Sequence, residues 1–505
     1  LKLRLRHYQE DQVKAVIDEA RAGRNRCLIN SPVGSGKSVV IASLCHKAKR
    51  PLVISPALSV MEQLATNLSS WLGEWVDVEQ GYRKVSRNSM MRSRCIVASR
   101  DSLLSRDRYS RGVFDGTTLV VFDEAHRGMT PRMTKMLNWF EDNGAFIVGL
   151  SATPYKGMGK PLPWWSRPAY TYSLIQCIRD GWLCRPHATS SAAASFNLES
   201  VEEVAGEWNQ SQLADVLNDE QVVHEVANLV LQTYGKNPSA VYCQNIRQAK
   251  QLAEVLERYD SKPAIVYSGQ QPEVRKANMD AFRTGDANII CNVNVLAYGW
   301  DHPGLRNIYN AAPTRSLSAY EQRIGRGTRP LPDVLHPDMN QAERLAAIAS
   351  SDKPHFDIYD VTDSSKSIQL LNAMDVIDAK CRESGSRRRR NREAMDGNSV
   401  DLLEEVDKRD AEETFEQQLR KAELEERKQK LVVGYTFSHS SRDLFSSPDE
   451  PQNKRGWRMM WGQYKGELIR NLPTGYLDSV VSRARKVTPF ISAVKSEVRS
   501  RQKED

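Results

Sequence analysis

Three sets of residues in this 505-residue chain have types and spacings that could do chemistry. The stretch SPVGSGKSVV, residues 31–40, carries Gly34, Ser35, Gly36, Lys37 and Ser38 between two apolar runs. Glycines at such positions let a backbone curl until its N–H groups converge on phosphate oxygens. A lysine beside them reaches the β and γ phosphates, and a serine hydroxyl holds magnesium. Ser31 stands where the usual phosphate-loop pattern has its first glycine. Taken alone, the stretch also suits a plain strand–turn–helix.

The second set is Asp123 and Glu124, which end the apolar run of TLVVFDEAHRG. A carboxylate there suits magnesium held through water, and its neighbour suits polarising an attacking water. The alternative is a solvated acidic turn after a strand. A further apolar run, FIVGLSATP, ends in Ser151, Ala152 and Thr153. The third set is Gln322, Arg326 and Arg329, at helical spacing in YEQRIGRGTRP. Two arginines on one helical face are either a surface charge pair or stabilisers of a triphosphate in its transition state.

These residues need elements that hold them at one edge. Apolar strand-like runs alternate with helical stretches over residues 1–187, as in a doubly wound parallel sheet. The alternation returns in the runs SAVYCQ, PAIVYSG, NIICNVN and HFDIYDVTD over residues 221–377. The expected fold is α/β: two tandem parallel-sheet domains, with residues 188–220 as a small, polar interdomain linker containing TSSAAASFNLES. Residues 378–450 read as a charged linker and an exposed helix or two, and 451–505 as a small basic accessory module. A nucleotide between the two sheets would draw them together, and hydrolysis would release them.

The quoted motifs G-S-G-K-S, D-E-A-H, S-A-T-P and Q-x-x-G-R-G-x-R, in this order, resemble superfamily 2 helicases and translocases of the DEAH type. PTRSLSAYEQRIGRGTRP is similar to RadD-type repair helicases and related phage helicases. The resemblance covers residues 1 to about 375 and implies two RecA-like domains, ATP and magnesium as cofactors, and a nucleic-acid-dependent ATPase. It assigns Glu124, Lys37, Gln322, Arg326 and Arg329 to catalysis. ATP would be held by Arg6, Gln9, Gly34 to Ser38, Asp123, Gly299 and Asp301, with Gln9 reading the adenine edge. Ser38 and Asp123 would hold the metal, and His126, Ser151, Ala152 and Thr153 would couple hydrolysis to movement. Strand contacts would come from Ser55, Pro56, Ser99, Arg100, Asn292 and Val293. Tyr298 stands where the family's motif V usually has an acid, and the cysteines that bind zinc after the motor in RadD-type proteins are absent.

The partner implied is DNA, single-stranded, forked or branched, with RNA as the alternative. A nucleotide-gated nucleic-acid binder is the competing class. Hydrophobic residues at 40% and charged residues at 27% are ordinary for a water-soluble globular protein. No apolar run approaches the roughly 18 residues of a membrane span, and the first residues lack the apolar core of a secretory signal. Eight cysteines without a C-x-x-C pair indicate neither a zinc ribbon nor a disulfide framework. The expected location is therefore inside the cell, and with the resemblance to RadD-type and phage helicases, the cytoplasm of a bacterial cell or phage-infected host. The net charge of +8 permits a nucleic-acid partner without requiring one.

Residues 451–505 hold 12 Lys or Arg against 5 Asp or Glu, a net charge of +7. Trp457, Trp461, Tyr464 and Tyr476 lie among them, as the core of a very small domain or as a stacking platform for nucleic acid. A protein-docking role is the remaining alternative. The basic run RESGSRRRRNRE reads as a solvated linker or a nucleic-acid arm, and Trp164 and Trp165 as core or strand contacts.

Overall fold

The computed structural model describes residues 3–501 except 57, 87–92, 127–128, 153–154, 157–159, 163, 166–167, 205–206, 297–299, 315, 364–371, 378–392, 396–397, 419–466 and 484–488. Thr153, Tyr298, Gly299, most of the basic run, Trp457, Trp461 and Tyr464 therefore lie outside the described residues.

The first part of the chain alternates helix and strand: α1 (His7–Arg21), β1 (Arg26–Asn30), α2 (Lys37–Lys47), β2 (Pro51–Ser55), α3 (Leu58–Leu72), β3 (Val76–Glu79), β4 (Cys95–Ser99), α4 (Arg100–Leu104), β5 (Leu119–Phe122), α5 (Pro131–Asp142) and β6 (Phe146–Ser151). A short ribbon, β7 (Tyr155–Lys156) with β8 (Lys160–Pro161), precedes β9 (Tyr170–Thr171) and α6 (Leu174–Arg179). The seven-stranded sheet runs β3-β4-β2-β5-β6-β1-β9 and is parallel throughout. Its central strands are continuous apolar runs because helices cover both faces. Every residue of Leu119–Phe122 is buried. Helix α5 starts where Thr130 accepts the Met133 N–H and Pro131 occupies the first turn.

The second sheet takes its strands from β10 (Arg185–Phe196) onward. A hairpin, β11 (Glu203–Val204) with β12 (Glu207–Trp208), leads into α7 (Gln210–Leu217) and α8 (Glu220–Thr233). Then come β13 (Ser239–Tyr242), α9 (Ile246–Glu257), β14 (Pro263–Tyr267), α10 (Pro272–Thr284), β15 (Ile289–Val293), β16 (Asn307–Asn310), α11 (Leu317–Gly327), α12 (Gln341–Ala349), β17 (His355–Asp363), α13 (Ala373–Ile377) and β18 (Val400–Asp401). Sheet order is β14-β15-β13-β16-β17-β10-β18, all parallel except the antiparallel β18. These are the two doubly wound parallel-sheet domains that the alternation of runs implies.

Two expectations are corrected. Residues 188–220 are not a linker: their first part completes β10, which pairs with β17 over its length. Ala188, Phe196, Leu198, Leu213 and Leu217 are buried. The small residues of TSSAAASF read as a linker, yet they continue the strand alongside β17. Nor is the start of the charged region exposed. After β18, residues 402–418 are helical, and Leu402, Leu403 and Val406 are buried in the same apolar cluster as Trp182, Tyr320 and Phe356. Phe415, further along, is 65% exposed. Trp165 is core, and the indole N–H of Trp164 donates to Asn138 at 3.0 Å.

Residues Glu413–Asp505 form a separate compact unit. Its helices Thr474–Arg483 and Pro489–Arg501 close over Ile469, Leu472, Leu477, Val494 and Val498, with Tyr476 packed against them. Tyr476 thus sits on the side of the small core. The Arg501 guanidinium donates to the carbonyls of Leu472 and Arg470, both at 2.7 Å. Among the described residues no helix is long and apolar enough to cross a membrane.

Candidate active site

The glycine loop leaves β1 at Asn30 and enters α2 at Lys37. Gly34 and Gly36 have φ of 85° and 82°, which side chains rarely adopt. A Cβ on Gly36 would come within 2.8 Å of the Gln9 amide. Ser31 has work of its own: its N–H donates to Ser151 O at 2.9 Å, and its hydroxyl lies 2.7 Å from that of Ser35 and 3.1 Å from the Gln12 amide nitrogen. The missing first glycine is replaced by a hydroxyl stitch between loop and α1. Lys37 Nζ donates weakly, at 3.4 Å each, to Ser31 O and Pro32 O, inside the curl of the loop.

Helix α1 packs on the same loop. Gln9 is buried: its amide donates to Ser35 O at 3.0 Å and its carbonyl accepts the Arg6 N–H at 2.9 Å. Arg6 donates to the Tyr8 hydroxyl at 3.0 Å and lies 4.3 Å over the Trp182 ring. Tyr8, fully buried, donates to Ser35 O at 2.6 Å and stacks on Tyr172. The motif element containing Gln9 also contains Tyr8, and a buried hydroxyl is the signal that would have found it.

Asp123 and Glu124 follow the carboxyl end of β5, two strands from β1. Burial, then the adjacent Glu124 charge, push the Asp123 carboxyl up to about 7, against the pull of Lys37. Glu124 lies 3.9 Å from Lys37 Nζ and 3.5 Å from His126 Nδ1. Its φ of 52° is uncommon for a non-glycine, and such backbone outliers cluster at functional sites. Two adjacent carboxylates with one ammonium are short of positive charge, and Ser38 brings a hydroxyl at the start of α2. This donor set fits a hard divalent cation such as magnesium.

The second sheet supplies the other wall. A Cβ on Gly325 in α11 would lie 2.3 Å from Val33 Cβ, so the helix backbone rests directly on the loop. A Cβ on Gly34 would meet Thr328 Oγ1 at 3.1 Å and Arg329 Cγ at 3.8 Å. Gln322 Nε2 is 3.4 Å from His126 Nε2, and His126 Nδ1 is 2.9 Å from the Ser151 hydroxyl. A contact line therefore runs from β6 through His126 to α11; Ala152 is buried beside it. Arg326 donates to Trp300 O, and Arg329 is ion-paired with Asp301. The Glu124 charge acts on Arg326, whose pKa burial lowers. Both arginines thus hold the loop after β15.

Of the six residues expected to contact a strand, four are buried and two are half-buried. Asn292 is fully buried, its carbonyl accepting the N–H groups of Val295 and Leu296 at 3.3 and 3.2 Å, and Val293 is 8% exposed. Ser55 is buried, and buried Ser99 accepts the Ser102 N–H as the cap of α4. The Asn292 and Ser99 side chains serve turns at strand ends, where polar groups are needed locally. Pro56 is half-buried, and Arg100 pairs with Asp101 at 2.9 Å.

Residues 2–156 match the family described as type III restriction enzyme, res subunit, and residues 221–330 match the helicase conserved C-terminal domain. The chain belongs to the superfamily 2 helicases. A Saccharomyces cerevisiae protein assigned as ATP-dependent helicase IRC3 is 23% identical over 350 residues, covering 64% of this chain and 49% of its own length. ATP-dependent RNA helicase DBP3 of Lodderomyces elongisporus is 23% identical over 325 residues, covering 59% and 55%. The chain thus spans about half the length of these relatives. In fold it is similar to a fragment of an HsdR subunit assigned to a type I restriction enzyme of Vibrio vulnificus YJ016, with a TM-score of 0.51 and 20% identity over 74% of this chain and 65% of that one.

Proposed function

We propose that the chain is a nucleic-acid-dependent ATPase that uses hydrolysis between its two sheets to move on DNA, separating strands or migrating branches. One observation carries this reading: α11, which bears Arg326 and leads directly to Arg329, rests on the glycine loop so closely that Gly325 has no room for a Cβ. That contact supports a single site in which the phosphate cradle comes from the first sheet and the arginines from the second. The loop N–H groups and Lys37 hold the β and γ phosphates, and Ser38 and Asp123 hold magnesium, which would neutralise charge there. Glu124 takes the proton of the attacking water. Arg329 and Arg326 exchange Asp301 and Trp300 O for phosphate oxygens as ATP binds. His126, Ser151 and Gln322 transmit the difference between the two states.

The test is turnover with and without nucleic acid, comparing single-stranded, duplex and forked DNA with RNA. Strong stimulation by DNA, abolished in K37A and by chelation of magnesium, is expected. Equal turnover with and without any nucleic acid would overturn the motor and favour a nucleotide-gated binder. A relative named as an RNA helicase favours a second reading, RNA remodelling. Stimulation by RNA alone would select it.

A further inference from the structure

Lys353 lies outside every motif and precedes β17, yet its side chain ends beneath the arginine-bearing end of α11. It is fully buried. Its ammonium donates to Pro303 O at 2.6 Å and to Arg329 O at 2.8 Å. A buried ammonium is costly unless hydrogen-bonded, and here its two acceptors belong to two different loops. One carries Asp301, the other Arg329, and those two side chains are themselves ion-paired. The lysine's own carbonyl accepts the Cys184 thiol at 3.5 Å, and the Cys184 N–H donates to Thr328 O at 2.6 Å.

We propose that Lys353 is a positioning residue for the ATP site: by tying the Pro303 and Arg329 carbonyls together it holds Arg329 against the glycine loop and Asp301 beside it. The inference rests on the ATPase reading above. Burial, together with the charges of Arg306 and Arg329 and against those of Cys184 and Asp301, lowers the ammonium to about 8, and His302 feels the same charge. A cation retained there at neutral pH gives charge-assisted bonds, roughly twice as strong as neutral ones. The arginine's side chain is one-third exposed, so its placement depends on the main chain that Lys353 anchors and on its pair with Asp301.

The test is a double-mutant cycle on the full chain. Parent turnover is measured first; its absence would fail the ATPase reading and not this one. K353M is expected to lower kcat about 10- to 100-fold, as small misplacements do, with KM for ATP nearly unchanged. In an R329A background the same substitution should have almost no further effect, because the residue it positions is gone. If K353M does not fold, K353Q, which keeps an amide donor, takes its place in the cycle. Parent-like kcat in a folded variant, or an undiminished loss in the R329A background, would overturn the proposal.

Discussion

Two adjacent carboxylates cannot both ionise cheaply, and at this site the Asp123 carboxyl is pushed up. With its carboxyl raised to about 7 by burial and by Glu124, magnesium must displace a proton below that pH. The magnesium needed for nucleotide binding should therefore rise as pH falls through about 7. E124Q removes the neighbouring charge, so the same rise should appear only at lower pH. Titrating magnesium against a fluorescent nucleotide on either side of pH 7 checks this; identical curves for parent and E124Q would contradict it. E124Q should also still bind ATP while turning over on the order of 100-fold more slowly, because an amide is no base. Lys37, Ser38, Asp123 and Glu124 were legible in the sequence because their types are diagnostic and their neighbours local. Val33 and Lys353 were not, since an apolar residue or a lone lysine acquires meaning only from what folds onto it. Asn292 illustrates a different limit: a motif gives a position but not which way the side chain turns.

At the scale of elements, the seat of α11 on the glycine loop reverses a usual rule. Glycine to alanine inside a helix ordinarily gains about 1 kcal/mol. In G325A the new methyl would sit 2.3 Å from Val33 Cβ, so the helix must lift off the loop. Turnover should fall while V33G in the same chain, which removes the clashing Cβ, restores part of it; ATPase assays on the single and double variants decide. The antiparallel β18 gives a second case. Burial works against ionising Asp401, but the hydrogen bond from His187, the N–H groups of Glu404 and Leu403 and the Arg185 charge hold its carboxyl down to about 2. Its contribution, about 2 kcal/mol, is present above the ordinary carboxylate value near 4 and lost as pH falls from there to about 2. D401N should be less stable than the parent at neutral pH, and the gap should close over that acid window in denaturant melts. The parallel strands could be read from their apolar runs because both faces are covered. Strand β10 could not, because its small residues have the composition of a linker and only its partners make it a strand.

For the whole molecule, the end of the motor lies further along than its motifs. A chain cut near residue 378 keeps the glycine loop, the carboxylates and the arginines, yet loses Leu402, Leu403 and Val406 from the core. Removing one large buried aliphatic side chain costs about 2–5 kcal/mol. The cut at 378 should thus melt at a markedly lower temperature, whereas a cut after Glu412, where the first compact unit ends, should keep the parent's maximal turnover. Calorimetry of the two truncations separates them. If residues 413–505 bind nucleic acid, the longer truncation should need more DNA to reach that turnover. Its binding should also weaken less steeply with salt, by about 0.9 in log–log slope for each lost phosphate contact. Identical affinity and slope would leave the basic unit as a protein-docking module. Strands β1 to β6 and β9 form the first sheet, with β7 and β8 as a ribbon beside them in sequence, and β10 to β18 form the hairpin and the second sheet, so one crossing of the chain near Cys184 joins the halves among the described residues. A short tether sets an effective concentration in the millimolar range, so the faces at Val33 and Gly325 need little affinity of their own. Severed between Gly181 and Arg185, the halves should behave as a weakly associating pair for which ATP supplies most of the attraction.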